Sequence, residues 1–323
     1  MTFSDKIKGV LYAVIAAATY GMIPLFAKPL YVSDTNPDGL NPDSVLIFRY
    51  LFAIIILGVM IKLRGRSFSL KKKEILPLVA MGAVMSLSSL TLFGSYQYMD
   101  GGIASTILFV YPIIVAVIMA LFFKEKITLS TAICIFFALW GIYMLYNGDN
   151  NVTLSLRGTI LVLLSALFYA IYIVSVNRSA LKHIPTLKLT FYMLLFGIIM
   201  FVVRVNTYSE FIIPTKSIQW LCLFSLALFP TAISFICTTK AVQHIGATST
   251  AILGAIEPFT AIFIGVMVFS EVLTPRICLG LAMIIVAVTI VVAGGNIKIR
   301  MNLIRFKKMF PRLNRKNNNN STL

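Results

Sequence analysis

Charged side chains are scarce in this chain of 323 residues. Asp, Glu, Lys and Arg make up 12% of it, about half of the roughly 25% that soluble domains carry, while 59% of the residues are hydrophobic. The apolar runs are continuous rather than alternating, which excludes the pattern of a membrane β-barrel. Runs of about 20 apolar residues cross a bilayer as helices. The sequence therefore predicts an all-α integral membrane protein in a lipid bilayer.

The residue types of catalytic and metal centres are also few. Two histidines and four cysteines are present, without the spacing of a metal site or a disulfide framework, and the sequence contains no Walker motif or nucleophile triad. We therefore expect a protein that is not an enzyme, with no cofactor, no metal and no intrinsic ATP drive. The net charge of +17 lies mostly in short connections and in the tail, which favours topology signals over a nucleic-acid partner.

Ten hydrophobic runs predict ten transmembrane helices. They cover residues 8–30, 44–63, 75–98, 102–123, 127–146, 158–178, 187–205, 217–240, 246–269 and 273–294. With the N-terminus in the cytoplasm, 22 of the 28 Lys and Arg residues fall on the cytoplasmic side, which is the side that positive residues favour. We expect both termini in the cytoplasm and a basic, disordered tail at 297–323.

The stretch 97–128 returns at 243–274 without a gap. The aligned pairs are Gln97 with Gln243, Pro112 with Pro258 and Glu125 with Glu271, and spans 1 and 6 add Gly9 with Gly158 and Tyr20 with Tyr169. Because each copy has five spans, an odd number, the second copy enters the membrane inverted relative to the first. Inverted repeats are typical of secondary transporters, with substrate bound near the midplane. We predict two inverted five-helix repeats, at 1–148 and 149–296.

Glu257 is the strongest candidate for a substrate-binding or coupling residue. It stands near the centre of span 9, where a charged side chain costs about 2.5–3.5 kcal/mol on insertion scales and usually faces a bundle interior or a pathway. It could hold a substrate amine or exchange a proton; a structural carboxyl inside the bundle is the alternative. Tyr111 occupies this position in the first copy, so the predicted site is asymmetric.

Pro112 and Pro258 lie near the centres of spans 4 and 9. Proline donates no backbone hydrogen bond and clashes with the carbonyl four residues back, here that of Leu108 or Gly254. In hydrocarbon such breaks survive where they face protein or a wet cavity. We interpret Pro112, Pro258 and Gly254 as helix breaks with a gating role, with simple kinks as the alternative.

Two tyrosines and two cations complete the candidate site. Tyr20 and Tyr169 lie 11 residues beyond the aligned glycines, about 16 Å along a helix and so near mid-membrane; they could line a cavity or be core residues. Lys28 and Arg49 lie at the outer ends of spans 1 and 2, where they could snorkel to headgroups or attract carboxylates. The remaining repeat positions, near span ends, are expected to be structural: Gln97, Glu125, Gln243 and Glu271.

Several of these motifs together resemble the EamA-like family of the drug/metabolite transporter superfamily. They are the two repeats, the central Glu257-Pro258, Glu271 thirteen residues beyond the proline, and Phe-Arg-Tyr at 48–50 after Pro42. The resemblance implies a ten-helix carrier of the bacterial inner membrane that exports small metabolites, such as amino acids, by alternating access.

Residue by residue, the resemblance places Arg49, Glu257, Pro258 and Glu271 on family-typical positions. The first-half position that is commonly Ser-Pro reads Tyr111-Pro112 here, and this departure leaves the substrate open.

The leading hypothesis is a secondary transporter that exports small metabolites, such as amino acids or related compounds, through a midplane cavity. It would work as a monomer or weak dimer, driven by a gradient, with proton coupling through Glu257 as a further hypothesis. A carrier of nucleotide- or lipid-linked sugars is the alternative within transport, and it would need clustered basic residues at the cavity. A non-transporting sensor or a membrane-embedded enzyme is the alternative from another class.

Overall fold

The computed structural model describes residues 3–31, 38–123, 129–146, 155–178, 181 and 184–290. Apart from the isolated bridge residues Tyr31, Leu40 and Met99, the regular structure in these ranges is helical. The α-helices are Phe3–Gly21 (α1), Ile23–Ala27 (α2), Pro42–Leu63 (α3), Lys72–Ser95 (α4), Gly101–Leu108 (α5), Tyr111–Phe123 (α6), Leu129–Tyr146 (α7), Leu156–Arg178 (α8), Thr186–Thr207 (α9), Ser217–Ala227 (α10), Ser234–Leu253 (α11), Ile256–Phe269 (α12) and Pro275–Ile290 (α13). A 3₁₀ turn covers Lys28–Leu30 and a π-helical turn covers Leu228–Ile233.

Seven segments within the described residues are long and apolar enough to cross a membrane. They are Asp5–Leu30, Pro42–Leu63, Lys72–Ser95, Gly101–Phe123, Leu156–Val176, Thr186–Thr207 and Ser217–Thr238. Three further apolar helices, Ala132–Met144, Ile256–Phe269 and Pro275–Ile290, are shorter than the roughly 17–25 residues of an ordinary span. An all-α, multi-pass membrane architecture follows, while the count of ten spans stays a prediction.

The connection that the sequence predicts between spans 8 and 9 is helical, because α11 runs through it. Contacts with α1 show that the chain nevertheless reverses within this segment. Ser234 donates to the Ala16 carbonyl, and Ile245 lies against Gly9, so up to this point the chain runs antiparallel to α1. Glu257 then lies against Gly21, at the other end of α1. The two predicted spans are thus joined without an extended loop.

Two contacts made by the first half of the chain on the second have counterparts, at aligned positions, that the second half makes on the first. Gly9 of α1 packs on His244 and Ile245, and Gly158 of α8 packs on Tyr98 and Met99; the two packing sites lie 146 positions apart. In the same way, Ser234 of α11 bonds to Ala16 of α1, and Ser88 of α4 bonds to Ser165 of α8. α1 and α8 therefore each pack on segments of the other half of the chain, and these segments correspond in the predicted alignment.

Polar connections hold the two ends of the bundle. At the end where α3 begins, Arg204 pairs with Asp43 at 2.9 Å, and Lys216 pairs with Asp38 at 3.3 Å. At the opposite end, where α3 finishes, Lys188 and Tyr192 donate to carbonyls of the 68–69 segment. The first end joins segments that the sequence places outside, and the second joins segments that it places in the cytoplasm.

Close packing of α4 on α9 gives a first prediction. A Cβ at Gly82 would lie 2.9 Å from the Met193 carbonyl oxygen, whereas a Cβ at Gly94 on the same helix would lie 3.8 Å from Leu161. We expect Gly82→Ala to lower the free energy of unfolding by about 1–3 kcal/mol through overpacking. Gly94→Ala should be neutral or stabilise by up to about 1 kcal/mol. Detergent-solubilised variants are compared by unfolding midpoint, and equal midpoints would contradict the close packing.

Candidate functional site

A cavity of about 230 Å³ lies between α1 and helices from both halves of the chain. Much of its wall is formed by small residues of α1 and by hydroxyl-bearing and small residues of α11 and the turn that follows it. The lining residues are Ala13, Ala16, Ala17, Tyr20, Leu108, Tyr111, Tyr169, Ser234, Phe235, Thr238, Thr250, Gly254 and Glu257. We call this space the central cavity. Among the described residues, its wall carries one carboxylate, three phenols and no Lys or Arg.

Glu257 enters the central cavity from the first turn of α12. Its backbone is fixed against α1, because the Glu257 carbonyl oxygen and Thr260 lie directly against Gly21. Among the described residues, the Glu257 carboxyl has no ion-pair or hydrogen-bond partner. Glu257 is half-buried in the cavity wall, where a carboxylate without a partner is costly, so this group is available for a cation or a proton from outside the chain.

Both predicted break regions are interrupted helices. On one side α5 ends at Leu108 and α6 begins at Tyr111; on the other, α11 ends at Leu253 and α12 begins at Ile256. In each case the proline, Pro112 or Pro258, is in the first turn of the second helix, where its missing N–H costs no helical hydrogen bond. The breaks bring Tyr111 and Glu257, aligned in the two copies, to the same cavity.

The three cavity tyrosines come from three helices. Tyr111 and Tyr169 pack edge to face with ring centroids 4.7 Å apart, and Tyr20 faces the same space from α1. The sequence predicted the shared depth of Tyr20 and Tyr169, and the structure adds that both reach the cavity that Glu257 lines. Aromatic faces beside a carboxylate can hold the apolar part of a small solute, or its cationic group.

Arg49 lies beside a second, smaller cavity of about 20 Å³, which adjoins the central cavity at Tyr20 and Phe235. Arg49 is only 8% exposed, so its side chain does not extend to the lipid headgroups as snorkelling would require. The guanidinium lies 5.0 Å from the Phe93 ring, and its Nε and Nη2 each lie 3.4 Å from Thr231 Oγ1.

Thr231 belongs to the π-helical turn, which follows from Pro230. The missing N–H of Pro230 leaves the Leu226 carbonyl without its helical donor, and Thr231 Oγ1 donates to that carbonyl at 3.1 Å instead. The Thr231 oxygen is then turned to accept from Arg49. The sequence reasoning missed this turn, although a proline inside span 8 was a visible signal for it.

Lys28 lies outside the central cavity, in a cluster that we call the Lys28 cluster: Lys28, Asp100, Gly101 and Glu271. Lys28 Nζ lies 2.5 Å from Glu271 Oε1 and 3.5 Å from Asp100 Oδ1. Glu271 also accepts from the Gly101 N–H at 3.1 Å, at the N-terminus of α5, which favours a negative charge. The cluster ties the 3₁₀ turn after α2 to α5 and to the segment after α12.

The other repeat positions do not meet at the cavity. Gln97 is exposed in the turn after α4, and Glu125 and the Gln243 side chain lie outside the described residues. The sequence reasoning also gave no role to the hydroxyls of Ser234, Thr238 and Thr250, which line the cavity. Small polar residues are common in packed helices, so their types alone did not separate them from structural positions.

Comparison of the chain with known proteins identifies its family. The model of the EamA-like transporter family matches residues 7–147 and again residues 156–293. The chain is 23% identical over 265 residues to the uncharacterized transporter YdfC of Bacillus subtilis (strain 168), covering 80% of this chain and 84% of that protein. It is 22% identical over 277 residues to solute carrier family 35 member G1 of Homo sapiens, covering 82% and 73%.

The crystal structure of another protein has a similar fold, with a TM-score of 0.62. It is 14% identical in sequence, and the match covers 90% of this chain and 96% of the other. The resemblance seen in the sequence motifs is confirmed by the family match, which extends over most of the chain. The protein belongs to the EamA-like transporter family.

Proposed function

We propose that the protein is a secondary transporter that exports small metabolites, such as amino acids or related compounds, by alternating access to the central cavity. One observation carries the proposal: the Glu257 carboxyl, without a partner among the described residues, faces a cavity that both halves of the chain line. The cavity of about 230 Å³ is below the roughly 300–1,000 Å³ of drug-sized ligand sites, which favours a small solute.

The proposal includes ten spans in two inverted five-helix repeats, at 1–148 and 149–296, followed by the basic tail. Two separate matches to one family model support it. The exchanged contacts support it further, since Gly9 and Gly158 pack on residue pairs that are equivalent in the aligned copies. Transporters of this kind bind substrate where the two copies meet, and Tyr111 and Glu257 are aligned residues on either side of the cavity.

The proposed location is the bacterial inner membrane, with both termini in the cytoplasm. The excess of Lys and Arg in the segments on that side supports this orientation. In this orientation we propose the Lys28 cluster, at the outer end of the bundle, as the outer gate of the transport route. Alternating access would then require the Lys28–Glu271 pair, 2.5 Å long here, to separate, with Pro112, Pro258 and Gly254 at the hinges.

Proton coupling at Glu257 is part of the proposal. A proton and a substrate amine would compete for the same carboxylate, so release of one would favour binding of the other. The alternative, transport of nucleotide- or lipid-linked sugars, needs several cations at the cavity for phosphate. The lining residues that the structure describes include no cation, and Lys28 is engaged by two carboxylates.

The test compares cells that express the wild-type protein, the Glu257→Gln variant or no copy of the gene. We expect the wild type to raise the amount of at least one small amine-bearing metabolite in the medium, by untargeted mass spectrometry. Glu257→Gln should fall to the level of cells without the gene. Unchanged medium, together with no uptake of metabolites into inverted vesicles, would contradict a transport function; accumulation of a phosphorylated sugar would favour the alternative.

A further inference from the structure

Arg49 is a buried cation that pairs with no carboxylate among the described residues. The cations that form ion pairs in the described part of the chain are Lys28, Arg204 and Lys216. Arginine stays protonated in proteins and offers five N–H donors. Its Nε and Nη2 share one acceptor, Thr231 Oγ1, each at a long 3.4 Å. A buried charge without a counter-charge is costly, so a counter-ion from solution would stabilise this part of the bundle.

The cavity beside Arg49 has polar walls and the size of one small ion. Its volume of about 20 Å³ exceeds the roughly 10–15 Å³ that a water molecule needs, and a halide ion is only slightly larger than water. A carboxylate does not fit this space, whereas an anion of a single atom does. No carboxylate is among the described residues that line it. Those with a hydroxyl group are Tyr20, Tyr50, Ser89, Thr190 and Thr231.

The hydroxyls of Tyr50 and Ser89 can supply a further donor to an anion. They share one hydrogen bond of 2.9 Å, which uses one of the two hydroxyl protons, so the other can point into the cavity. The hydroxyls of Thr190 and Thr231 instead donate to backbone carbonyls, and their protons are not offered to an ion. Hydrogen bonds to an ionised group are stronger than those between neutral groups. The donors for a bound anion are therefore the Arg49 guanidinium and the Tyr50–Ser89 pair.

We infer that Arg49, Tyr50 and Ser89 form a binding site for a single halide ion, with chloride as the ion that solution supplies. The inference goes beyond the proposed transport function and does not depend on it. A bound chloride neutralises the guanidinium where α3 packs against α4 and against the π-helical turn at Thr231. The site is separate from the carboxyl of Glu257, which lines the central cavity and forms no ion pair with Arg49. Chloride binding therefore stabilises the folded bundle.

The test follows thermal unfolding of the full-length protein in detergent, with sodium chloride exchanged stepwise for sodium gluconate. Gluconate is too large for the cavity, and constant ionic strength keeps the screening of exposed charges equal. We expect the unfolding temperature to rise with chloride concentration, by at least about 2 °C over the titration. Bromide should act like chloride, and crystals soaked in bromide should show anomalous scattering beside the Arg49 guanidinium.

Arg49→Gln should abolish the halide dependence, whereas Arg157→Gln makes the same change at an exposed position and should keep it. The double variant Tyr50→Phe/Ser89→Ala should weaken chloride affinity by about tenfold or more, and it carries the test where Arg49→Gln does not fold. Equal unfolding temperatures of the wild type in chloride and gluconate overturn the inference. So does a chloride dependence that both sets of variants leave unchanged, or bromide scattering found only away from Arg49.

Discussion

Replacement of Glu257 by Gln is expected to reduce export of an amine-bearing solute by about 10- to 100-fold, because a hydrogen bond to a charged group is worth about 1.5–3 kcal/mol. The same change should leave the unfolding temperature equal or higher. The reason is that the Glu257 carboxyl has no partner among the described residues, so its charge costs stability instead of adding to it. Export is measured from loaded proteoliposomes, and stability from thermal unfolding of the same preparation.

The two readouts separate a functional carboxyl from a structural one. A Glu257 side chain that holds the bundle together would lower the unfolding temperature when replaced. Glu210→Gln makes the same chemical change at an exposed position and should alter neither readout. Full export by Glu257→Gln, with a pH dependence like that of the wild type, would contradict both substrate binding and proton coupling at this residue.

Replacement of Lys28 by Met is expected to cost about 3–5 kcal/mol of unfolding free energy. Removing one partner of a buried ion pair leaves the other charge uncompensated, and the Glu271 side chain is only 5% exposed. Lys216→Met is the matched control, because Lys216 and Asp38 are 43% and 63% exposed. Exposed pairs of this kind contribute about 0–1 kcal/mol.

Unfolding can be followed through the cysteines. Cys134, Cys222 and Cys237 are buried, while Cys278 is exposed, so a Cys278→Ser background reports only the loss of the packed core. In that background Lys28→Met should become reactive to a fluorogenic maleimide at a lower denaturant concentration than Lys216→Met. The double variant Lys28→Met/Glu271→Gln should be more stable than Lys28→Met alone. Equal effects of the two lysine variants would contradict the buried pairing.

The repeat in the sequence predicted much of the geometry around the cavity. Aligning Pro112 with Pro258 located two interrupted helices, and aligning Tyr20 with Tyr169 selected two residues that reach the same space. Both results follow from depth along a helix, which residue spacing reports directly. The asymmetry between Tyr111 and Glu257 was also visible in the sequence, and the structure places the two side chains in one cavity wall.

The roles of Arg49 and Lys28 could not be predicted from residue spacing. Spacing gives the depth of Arg49 along α3, but the direction in which its side chain points depends on packing against the π-helical turn at Thr231. Likewise, Lys28 and Glu271 are 243 positions apart, and their contact follows from how the halves pack. Glu271 was recognised as a repeat position, but its repeat partner carries no information about the lysine that it meets.

A single cysteine in the central cavity offers the most direct test of the central claim, that substrate binds there. Ala17 lines the cavity and is 6% exposed, so Ala17→Cys in a cysteine-free chain places one thiol at the site. The solute identified by the export comparison is then titrated against a small methanethiosulfonate reagent in proteoliposomes. We predict that the reagent blocks transport and that saturating solute slows the modification. Modification at the same rate with and without solute, with transport intact, would contradict a binding site in this cavity.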